Sequence, residues 1–395
     1  MKILHVTPSY YPAFKYGGPI NSTHLVNKKL VDKNIDVTVF TTSDGQSADT
    51  QLNTKNSVDN IKVYYYKSYG NTGYGISFRL LFSLLKNIRN YDVVLITSVF
   101  TFVSLITPIV CKIFKKPYIF SSRGTLDPEN VKSKSSFIKN MSLKLYERNF
   151  LNTASSIIVL TEDEKNWLSE LSIYNNNIQI IPNGMDIHKD DDFNKINFIN
   201  QKSIKLIYFG RLNFKKNIDF IIKSYAEIIK IHKNISLFIA GPDDGLEKDL
   251  KELAVKLGLE NKINFLGLLS GKDKDDFLKS SDIFILPSLS EGISMAQLEA
   301  MKNKCAVVVG NRGGIHYDLI NTNSGIVIDP SVQSLTEALL KLIGNDEERR
   351  KIAENGFNLV KTRYSWDSII NNYIDLYESL NEELKEIQYS KKVKS

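Results

Sequence analysis

The sequence predicts an α/β protein made of two Rossmann-like domains, each built on a parallel β-sheet, with an interdomain cleft. Short apolar runs alternate with helical patterns along nearly the whole chain, which is typical of parallel sheets with helical crossovers. The 395 residues exceed the length at which a single core usually stops growing. A polar stretch near residues 186–203, rich in Asn and Asp, separates two such alternations. We therefore expect two domains joined by a linker.

The first domain is expected over residues 1–185. Its predicted strands are the apolar runs KILHVT, DVTVFTT, KVYYY, DVVLIT, PYIFSS and SIIVLT. Helical patterns lie between them, near residues 78–88, 102–114 and 137–151. Residues 93–111 contain no charged side chain, and this uncharged stretch is nearly as long as a membrane span. Because they include Ser, Thr and Pro, and because buried parallel strands also give unbroken apolar runs, we interpret them as a strand followed by a core helix.

The second domain is expected over residues 204–362. Its predicted strands are IKLIYFG, SLFIAG, KINFLG, DIFILPS, CAVVVG and GIVI, again with helical patterns between them. A long helical pattern then fills residues 363–395 and ends in a basic tail. We expect this terminal helix to pack back on the first domain.

The composition is that of a globular protein: 42% of the residues are apolar and 24% are charged, which excludes disordered and fibrous classes. The net charge of +7 is uneven, since residues 1–185 carry 21 Lys or Arg against 13 Asp or Glu. Such a basic half predicts an anionic partner. Cys111 and Cys305 lie far apart without metal-ligand spacing, and Pro8 interrupts the N-terminal apolar run. We therefore expect a cytoplasmic protein without a disulfide or a secretory signal.

Four loops carry the motifs of chemical interest, because open parallel sheets bind ligands beyond the carboxyl ends of their strands. The first is YGGPI, in which Gly17 and Gly18 precede a helix and let backbone N–H groups approach an anion. The second is GRLNFKKNID, where Arg211 and Lys216 form a pair of cations suited to a diphosphate. The plainer interpretation of these motifs is a tight turn and two solvated surface cations.

The third loop is LPSLSEGISMAQLEAMK, which opens a helix directly after a predicted strand. Glu291 and Glu299 lie eight residues apart, about 80° around a helix, so we expect two separate roles for them. Free N–H groups near Gly292 suit phosphate or sugar oxygens, and Glu299 suits the hydroxyls of a ribose. The fourth loop is GNRGGI, with Gly310, Arg312, Gly313 and Gly314. It is either a polar rim of the same site or a tight turn.

These motifs, taken in order with FIAG, FLG, IIPNGMD and TRYSWDSIINNYIDLY, closely resemble the retaining glycosyltransferases of family 4, which have the two-domain B-type fold. PSYYPAFKYGGPI and VLTEDE extend the resemblance over nearly the whole chain. It implies transfer of a hexose from a UDP- or GDP-sugar to a lipid-diphosphate-linked or polysaccharide acceptor in bacterial surface glycan synthesis, such as capsule, O-antigen or exopolysaccharide. The family retains the anomeric configuration without a metal. No cofactor is therefore expected besides the nucleotide-sugar co-substrate.

The resemblance implies donor-binding roles for residues of both domains. These residues are Arg211 and Lys216 for the diphosphate, Glu299 for the ribose, Glu291, Gly292, Ile293 and Ser294 for the sugar, and Gly17 and Gly18 for phosphate. The expected catalytic residues are Glu291, Arg211 and Lys216. Fixed cations and helix N-termini stabilise the negative charge that develops on a departing diphosphate.

Three departures from the family pattern bear on these roles. Lys216-Asn217 stands where the family commonly has Lys-Gly, so the backbone freedom of glycine is missing at that turn. Ile293-Ser294 replaces a Phe-Pro pair. The loop after PYIF, which holds a His in many members, reads SSRGTLDP, and Arg123 there is a cation that cannot act as a base. We expect Arg123 to contact phosphate or an acidic acceptor, or to pair with Asp127, and we assign no histidine a catalytic role.

The segment over residues 132–148 has two open interpretations. It holds five Lys or Arg and one Glu around an apolar stripe of Phe137, Ile138, Met141 and Leu145. Such a helix either lies on the anionic inner face of the cell membrane, which would make the protein peripheral, or packs on its domain with solvated lysines.

Two rival functions are weaker. Asp190–Asp192 and Asp273–Asp275 suggest a metal-dependent transferase of the A-type fold, but neither follows a predicted central strand. The isoelectric point near 9.0 suggests a non-enzymatic anion or nucleic-acid binder, but no nucleic-acid motif is recognisable. We therefore expect no nucleic-acid partner.

Overall fold

The computed structural model describes residues 1–13, 18–47, 49–69, 74–131, 136–188, 203–289, 291–312 and 314–393. It divides the chain into two units, Met1–Gly184 with Trp366–Ser395 and Met185–Ser365. The chain thus returns to the first unit at Trp366. Most of the predicted linker, residues 189–202, lies outside the described residues, and so do Asp190–Asp192.

The first unit is built on a sheet whose described strands run in the order β3-β4-β2-β1-β5-β6-β7-β8. The described pairs are parallel except for the antiparallel pair of β3 and β4. The strands are β1 (Lys2–Thr7), β2 (Asp36–Thr42), β3 (Lys55–Val58), β4 (Ile61–Tyr66), β5 (Val93–Thr97), β6 (Tyr118–Ser121), β7 (Ser156–Val159) and β8 (Ile178–Ile180). The prediction of a parallel α/β sheet is confirmed, and β3 and β8 are strands that the six predicted runs do not include.

Helices cover both faces of this sheet. They are α1 (Gly18–Asp32), α2 (Phe78–Asn87), α3 (Phe102–Phe114), α4 (Pro128–Val131), α5 (Ser136–Ser142), α6 (Arg148–Asn152), α7 (Glu162–Glu170) and the terminal helix α15 (Trp366–Val393). A π-helical segment, Leu143–Glu147, joins α5 to α6. Buried side chains of α2, α3 and the π-helical segment share one core, while those of α1 and α15 share the core on the opposite face.

The uncharged stretch over residues 93–111 forms β5 and most of α3. Successive β5 side chains alternate between the two cores, since Val94 and Ile96 belong to one and Val93 and Leu95 to the other. A capping box starts α3: the Thr101 hydroxyl accepts from the Ser104 N–H, and the Ser104 hydroxyl accepts from the Thr101 N–H. Among the helices described, none is both long enough and apolar enough to cross a bilayer.

The second unit has a parallel sheet with described strands in the order β11-β10-β9-β12-β13-β14. Its strands are β9 (Ile204–Phe209), β10 (Ile235–Ala240), β11 (Ile263–Gly267), β12 (Ile283–Leu286), β13 (Ala306–Gly310) and β14 (Ile326–Ile328). Its helices are α8 (Ile218–Ile231), α9 (Glu247–Lys256), α10 (Gly271–Lys279), α11 (Met295–Lys302), α12 (His316–Thr322), α13 (Val332–Gly344) and α14 (Asp346–Arg363). The strands β9, β12 and β13 are neighbours, so the loops that follow them emerge side by side.

Glycine allows backbone segments to approach closely at this carboxyl edge. Gly241 follows β10 at φ +144°, and a Cβ built there would lie 1.8 Å from the Gly210 carbonyl oxygen. At the end of β13, a Cβ on Gly310 would lie 2.6 Å from the Ser288 carbonyl oxygen. A side chain at Gly241 would push the loop after β10 away from the loop after β9, and one at Gly310 would push the end of β13 away from the loop after β12.

Candidate active site

The loop after β9 carries Arg211 and Lys216. Arg211 is exposed at the carboxyl edge, and its carbonyl accepts a 2.7 Å hydrogen bond from the buried Tyr208 phenol. Burial raises the pKa of Tyr208, and the nearby Glu291 carboxylate adds to the rise. The phenol therefore stays protonated and keeps donating to the backbone that presents Arg211.

Asn217 forms the turn that precedes α8 with a backbone conformation that the sequence did not predict. It adopts the left-handed conformation, with φ +50°, which Asn tolerates better than other non-glycine residues. Its side-chain amide donates 2.9 Å to the Pro287 carbonyl oxygen in the loop after β12. The turn therefore reaches the left-handed conformation without glycine, because Asn217 supplies both the conformation and a link between two loops.

Lys216 and Glu291 form an ion pair across these two loops. The Ser288 hydroxyl donates 2.8 Å to the same carboxylate oxygen, and the Leu289 N–H donates 2.9 Å to the Lys215 carbonyl. Both charged side chains are partly exposed, with 23% and 16% of their surface in solvent. The second and third predicted loops are thus brought together.

The fourth loop, after β13, joins the same cluster through its backbone. The Glu291 N–H donates 3.1 Å to the Arg312 carbonyl, and the Gly314 N–H donates 2.9 Å to the Glu291 carbonyl. Gly314 has φ +72°, and a Cβ there would lie 3.1 Å from the Gly292 carbonyl oxygen. Gly313 lies outside the described residues. The third and fourth loops are therefore hydrogen-bonded to each other at this edge of the sheet.

The segment from Gly292 to Ser294 leads into α11. A Cβ on Gly292 would meet no atom within 4 Å, so this backbone is open on that side. Ile293 is partly buried against the core of the second unit. The Ser294 hydroxyl caps the helix by accepting a 3.3 Å hydrogen bond from the Gln297 N–H. Capping therefore explains serine at a position where the sequence departs from the family pattern.

Glu299 lies on α11 and pairs with Lys274 of α10, with 3.0 Å between the Lys274 Nζ and the carboxylate oxygen. Both side chains are about one quarter exposed. The sequence did not single out Lys274 except as part of Asp273–Asp275, which the structure places on the surface helix α10. Among the described residues, no three His, Cys, Asp or Glu side chains are grouped as metal ligands.

The candidate site residues of the first unit are Gly17, Gly18 and Arg123. Gly17 lies outside the described residues, and Gly18 begins α1. Arg123 follows β6 at φ +48° and is nine-tenths buried. It donates 2.7 Å to the Asn183 side-chain oxygen, 3.2 Å to the Ser22 hydroxyl and 3.3 Å to the Tyr373 phenol. Its Nε is buried without a hydrogen-bond partner, so Arg123 belongs to a buried, mostly neutral polar cluster.

A buried network near the start of α1 was not predicted from the sequence. His5 contacts Asn27 at 3.1 Å and Thr97 at 2.8 Å, and burial lowers the pKa of His5 to about 3. The Tyr10 phenol lies 3.0 Å from His24. His5 is therefore neutral, and both histidines are structural links between β1, α1 and the loop between them.

Comparisons with known proteins agree with this architecture. Residues 16–189 match the family model described as Glycosyltransferase Family 4, and residues 189–359 match the model described as Glycosyl transferases group 1. An uncharacterized glycosyltransferase of Methanocaldococcus jannaschii is 27% identical over 397 aligned residues, covering 95% of this chain and 98% of that protein. The UDP-Gal:alpha-D-GlcNAc-diphosphoundecaprenol alpha-1,3-galactosyltransferase of Escherichia coli is 29% identical, covering 75% of this chain and 78% of that protein.

Solved structures share the fold at lower identity. HepE of Anabaena in complex with UDP superposes with a TM-score of 0.69 at 19% identity, covering 99% of this chain and 100% of that one. WaaG, a glycosyltransferase involved in lipopolysaccharide biosynthesis, gives a TM-score of 0.61 at 19% identity, covering 98% of this chain and 99% of that one. At such identity the likeness establishes the architecture alone.

Proposed function

This chain belongs to the group 1, family 4 glycosyltransferases of B-type fold, and we propose that it is a retaining, metal-independent hexosyltransferase. Its donor would be a UDP- or GDP-sugar, and its acceptor a lipid-linked or polysaccharide glycan of a bacterial surface. The Anabaena neighbour crystallised with UDP and with UDP-glucose, and the Escherichia coli relative is named for a UDP-sugar donor and a diphosphoundecaprenol acceptor. These relatives support the donor and acceptor classes.

The observation that carries the proposal is the Lys216–Glu291 pair, with Arg211 on the same loop as Lys216. A nucleoside diphosphate gathers negative charge as its bond to the sugar breaks, and cations fixed at that point lower the barrier. Without a donor, Glu291 neutralises Lys216. The donor diphosphate would take over the Lys216 ammonium and leave the Glu291 carboxylate for the sugar hydroxyls.

The proposed chemistry balances without an added base. The bond between C1 of the sugar and the diphosphate oxygen breaks, and the acceptor hydroxyl attacks C1 from the same face. The acceptor proton passes to the departing phosphate oxygen, while Lys216 and Arg211 hold the resulting diphosphate. The backbone of Gly292, Ile293 and Ser294 would position the sugar.

The remaining predictions complete the proposal. Glu299 would bind the ribose, Gly17 and Gly18 would contact phosphate, and Arg123 would contact phosphate or acceptor or hold the first unit together. We place the enzyme in the cytoplasm, peripheral to the inner face of the cell membrane, because its proposed acceptor is lipid-linked and its first half is basic. No nucleic-acid partner is proposed.

A donor panel tests this function. We expect thermal stabilisation and slow hydrolysis with one of the UDP-, GDP-, ADP- or dTDP-hexoses, unchanged by EDTA, with the α-anomer retained in the product as read by NMR. Lys216→Ala should lower kcat/KM by about 10²-fold or more. Lys215→Ala is the matched control, since Lys215 is an exposed cation one residue away. An inverted product, full loss of activity in EDTA, or equal effects of the two substitutions would contradict the proposal.

A further inference from the structure

One face of the first unit combines exposed apolar side chains with cations. On α2 the exposed apolar residues are Phe78, Phe82 and Leu85, which lie at helical spacing. Ile109 and Ile113 are exposed one turn apart on α3. Phe82 and Ile113 leave 68% and 63% of their surface in solvent. We call this set, together with the exposed residues Phe137, Ile138, Met141 and Leu145, the apolar face.

The face continues onto the predicted basic segment. Its apolar members there are Phe137, Ile138, Met141 and Leu145, exposed between 42% and 74%. The outer apolar surface extends across neighbouring helices because α2 contacts α3 and α3 contacts the π-helical segment. Their inner sides, including Leu84, Val110 and Leu143, fill one core. Their outer sides therefore point away from the sheet together. Lys132 and Lys134, also part of the predicted segment, lie outside the described residues.

Charge identifies what this face fits. Residues 78–90 and 102–116 contain no Asp or Glu, and residues 136–152 contain only Glu147, which is fully buried. The exposed cations on the same elements include Arg79, Lys86, Lys112 and Lys144. An apolar surface fringed by cations and free of exposed carboxylates complements a bilayer of anionic lipids, where apolar side chains enter the headgroup boundary and cations meet phosphates.

We infer that the apolar face, formed by α2, α3, α5 and the π-helical segment, docks the protein on an anionic lipid bilayer. This surface extends the membrane contact beyond the basic segment to α2, predicted only as a helix, and to α3, predicted as a core helix. It lies outside the residues assigned to the donor. Its use, reaching a lipid-linked acceptor, rests on the proposed function, whereas the docking itself does not.

Vesicle flotation of the full chain tests the inference. Wild-type protein should float at low salt with vesicles of equal parts phosphatidylcholine and phosphatidylglycerol, and much less with phosphatidylcholine alone or in high salt. The double variant Phe82→Glu/Ile113→Glu should bind at least about tenfold more weakly, because two apolar side chains that would enter the bilayer are replaced by anions. Lys86→Gln/Lys144→Gln should weaken binding to the anionic vesicles selectively. Ile231→Glu on α8 is the matched control, since Ile231 is 67% exposed in the other unit.

Donor hydrolysis and thermal melting, measured for every variant, separate docking from folding and catalysis. Unchanged hydrolysis with lost flotation supports the inference. Flotation without donor hydrolysis in the wild type would refute the proposed function and leave the docking surface standing. Absence of flotation at low salt, or flotation equal in the wild type and Phe82→Glu/Ile113→Glu, would overturn the inference. A non-floating dimer that this variant dissociates would overturn it too, because the face would then be a subunit interface.

Discussion

The Lys216 ammonium donates to the Glu291 carboxylate although the two residues lie 75 positions apart in the chain. The fold brings them together because β9 and β12 are neighbours, and backbone hydrogen bonds then hold the loops in register. The Asn217 amide and the Ser288 hydroxyl add side-chain links on either side of the pair. The fold thus holds the cation and the carboxylate in place without a ligand, which is the preorganisation that the proposed electrostatic catalysis would require.

Removing the Glu291 side chain should damage catalysis more than stability. We expect Glu291→Ala to lower kcat/KM for the preferred donor by about 10²-fold. The melting temperature should change little, because partly exposed ion pairs contribute on the order of 1 kcal/mol or less. Ser288→Ala should cost less activity, since it removes only one hydrogen bond to the carboxylate. Steady-state kinetics and thermal melting measure both effects. A large loss of stability with kcat/KM intact would make the pair structural.

Asn217 should be replaceable by glycine more easily than by alanine. Asn217→Ala places a Cβ without a side-chain hydrogen bond in a left-handed conformation, and we expect it to destabilise the second unit by about 2–3 kcal/mol. Asn217→Gly loses the hydrogen bond to Pro287 but adopts φ +50° freely, so it should cost about 1 kcal/mol. Urea unfolding gives the order. Equal costs would show that the conformation is not what selects asparagine.

Glu299 should determine how strongly the enzyme prefers a ribose over a deoxyribose in its donor. Wild-type protein should use the ribonucleotide sugar with a lower KM than its 2′,3′-dideoxy analogue, and Glu299→Ala should reduce that preference toward unity. A ribose hydroxyl pair bound by a carboxylate is worth about 1.5–3 kcal/mol, or roughly tenfold to a hundredfold in KM. Lys274→Ala is the companion variant, because Lys274 pairs with Glu299 at 3.0 Å. A preference that survives Glu299→Ala would remove Glu299 from the ribose site.

The sequence predicted the architecture because hydrophobic patterns act locally: strands such as β2 and β5 bury nearly every side chain and read as unbroken apolar runs. It also predicted that the loops after β9, β12 and β13 lie together, because loops after parallel strands share one edge. It did not predict Lys274 or Ser288, whose roles depend on which distant side chain lies opposite. Asn217 shows the same limit. Its left-handed backbone and its link to Pro287 depend on tertiary contacts, and the absence of glycine at this turn indicated neither.

The same limit applies to Arg123 and to the apolar face. No local pattern shows that Arg123 donates to Asn183 and Tyr373, which are 60 and 250 positions away. Likewise, α2 and α3 have the apolar composition of core helices, and only their packing on one side of the sheet leaves Phe82 and Ile113 outside. Burial is a property of the assembled layers, so composition alone cannot assign it.

Glu147 should make the stability of the first unit fall as the pH rises. Its carboxyl is fully buried in the π-helical segment, where it accepts 2.8 Å hydrogen bonds from the Phe100 N–H and the Ser104 hydroxyl. Its second oxygen has no partner. Burial raises the pKa of Glu147 to about 7, and the two hydrogen bonds oppose the rise only in part.

The sign follows from comparing folded and unfolded chains. Below about pH 4.5 both are protonated and burial of Glu147 carries no charge penalty. As the pH rises to about 7, the unfolded chain releases its proton while the folded chain retains it, so unfolding becomes easier by roughly 3 kcal/mol. Above about 7 the full penalty remains, since the folded chain then holds a buried carboxylate.

Glu147→Gln keeps the acceptor oxygen and removes the ionisation. We expect the melting temperature of this variant, relative to wild type, to rise between about pH 5 and about pH 8. The fall of stability with rising pH should be smaller in Glu147→Gln than in the wild type but should not vanish, because burial also raises the pKa of Glu164. Glu170→Gln, an exposed carboxylate on α7, is the matched control and should leave the slope unchanged. Parallel melting curves for wild type and Glu147→Gln across this range would contradict the prediction, because they would show that the buried carboxyl does not titrate there.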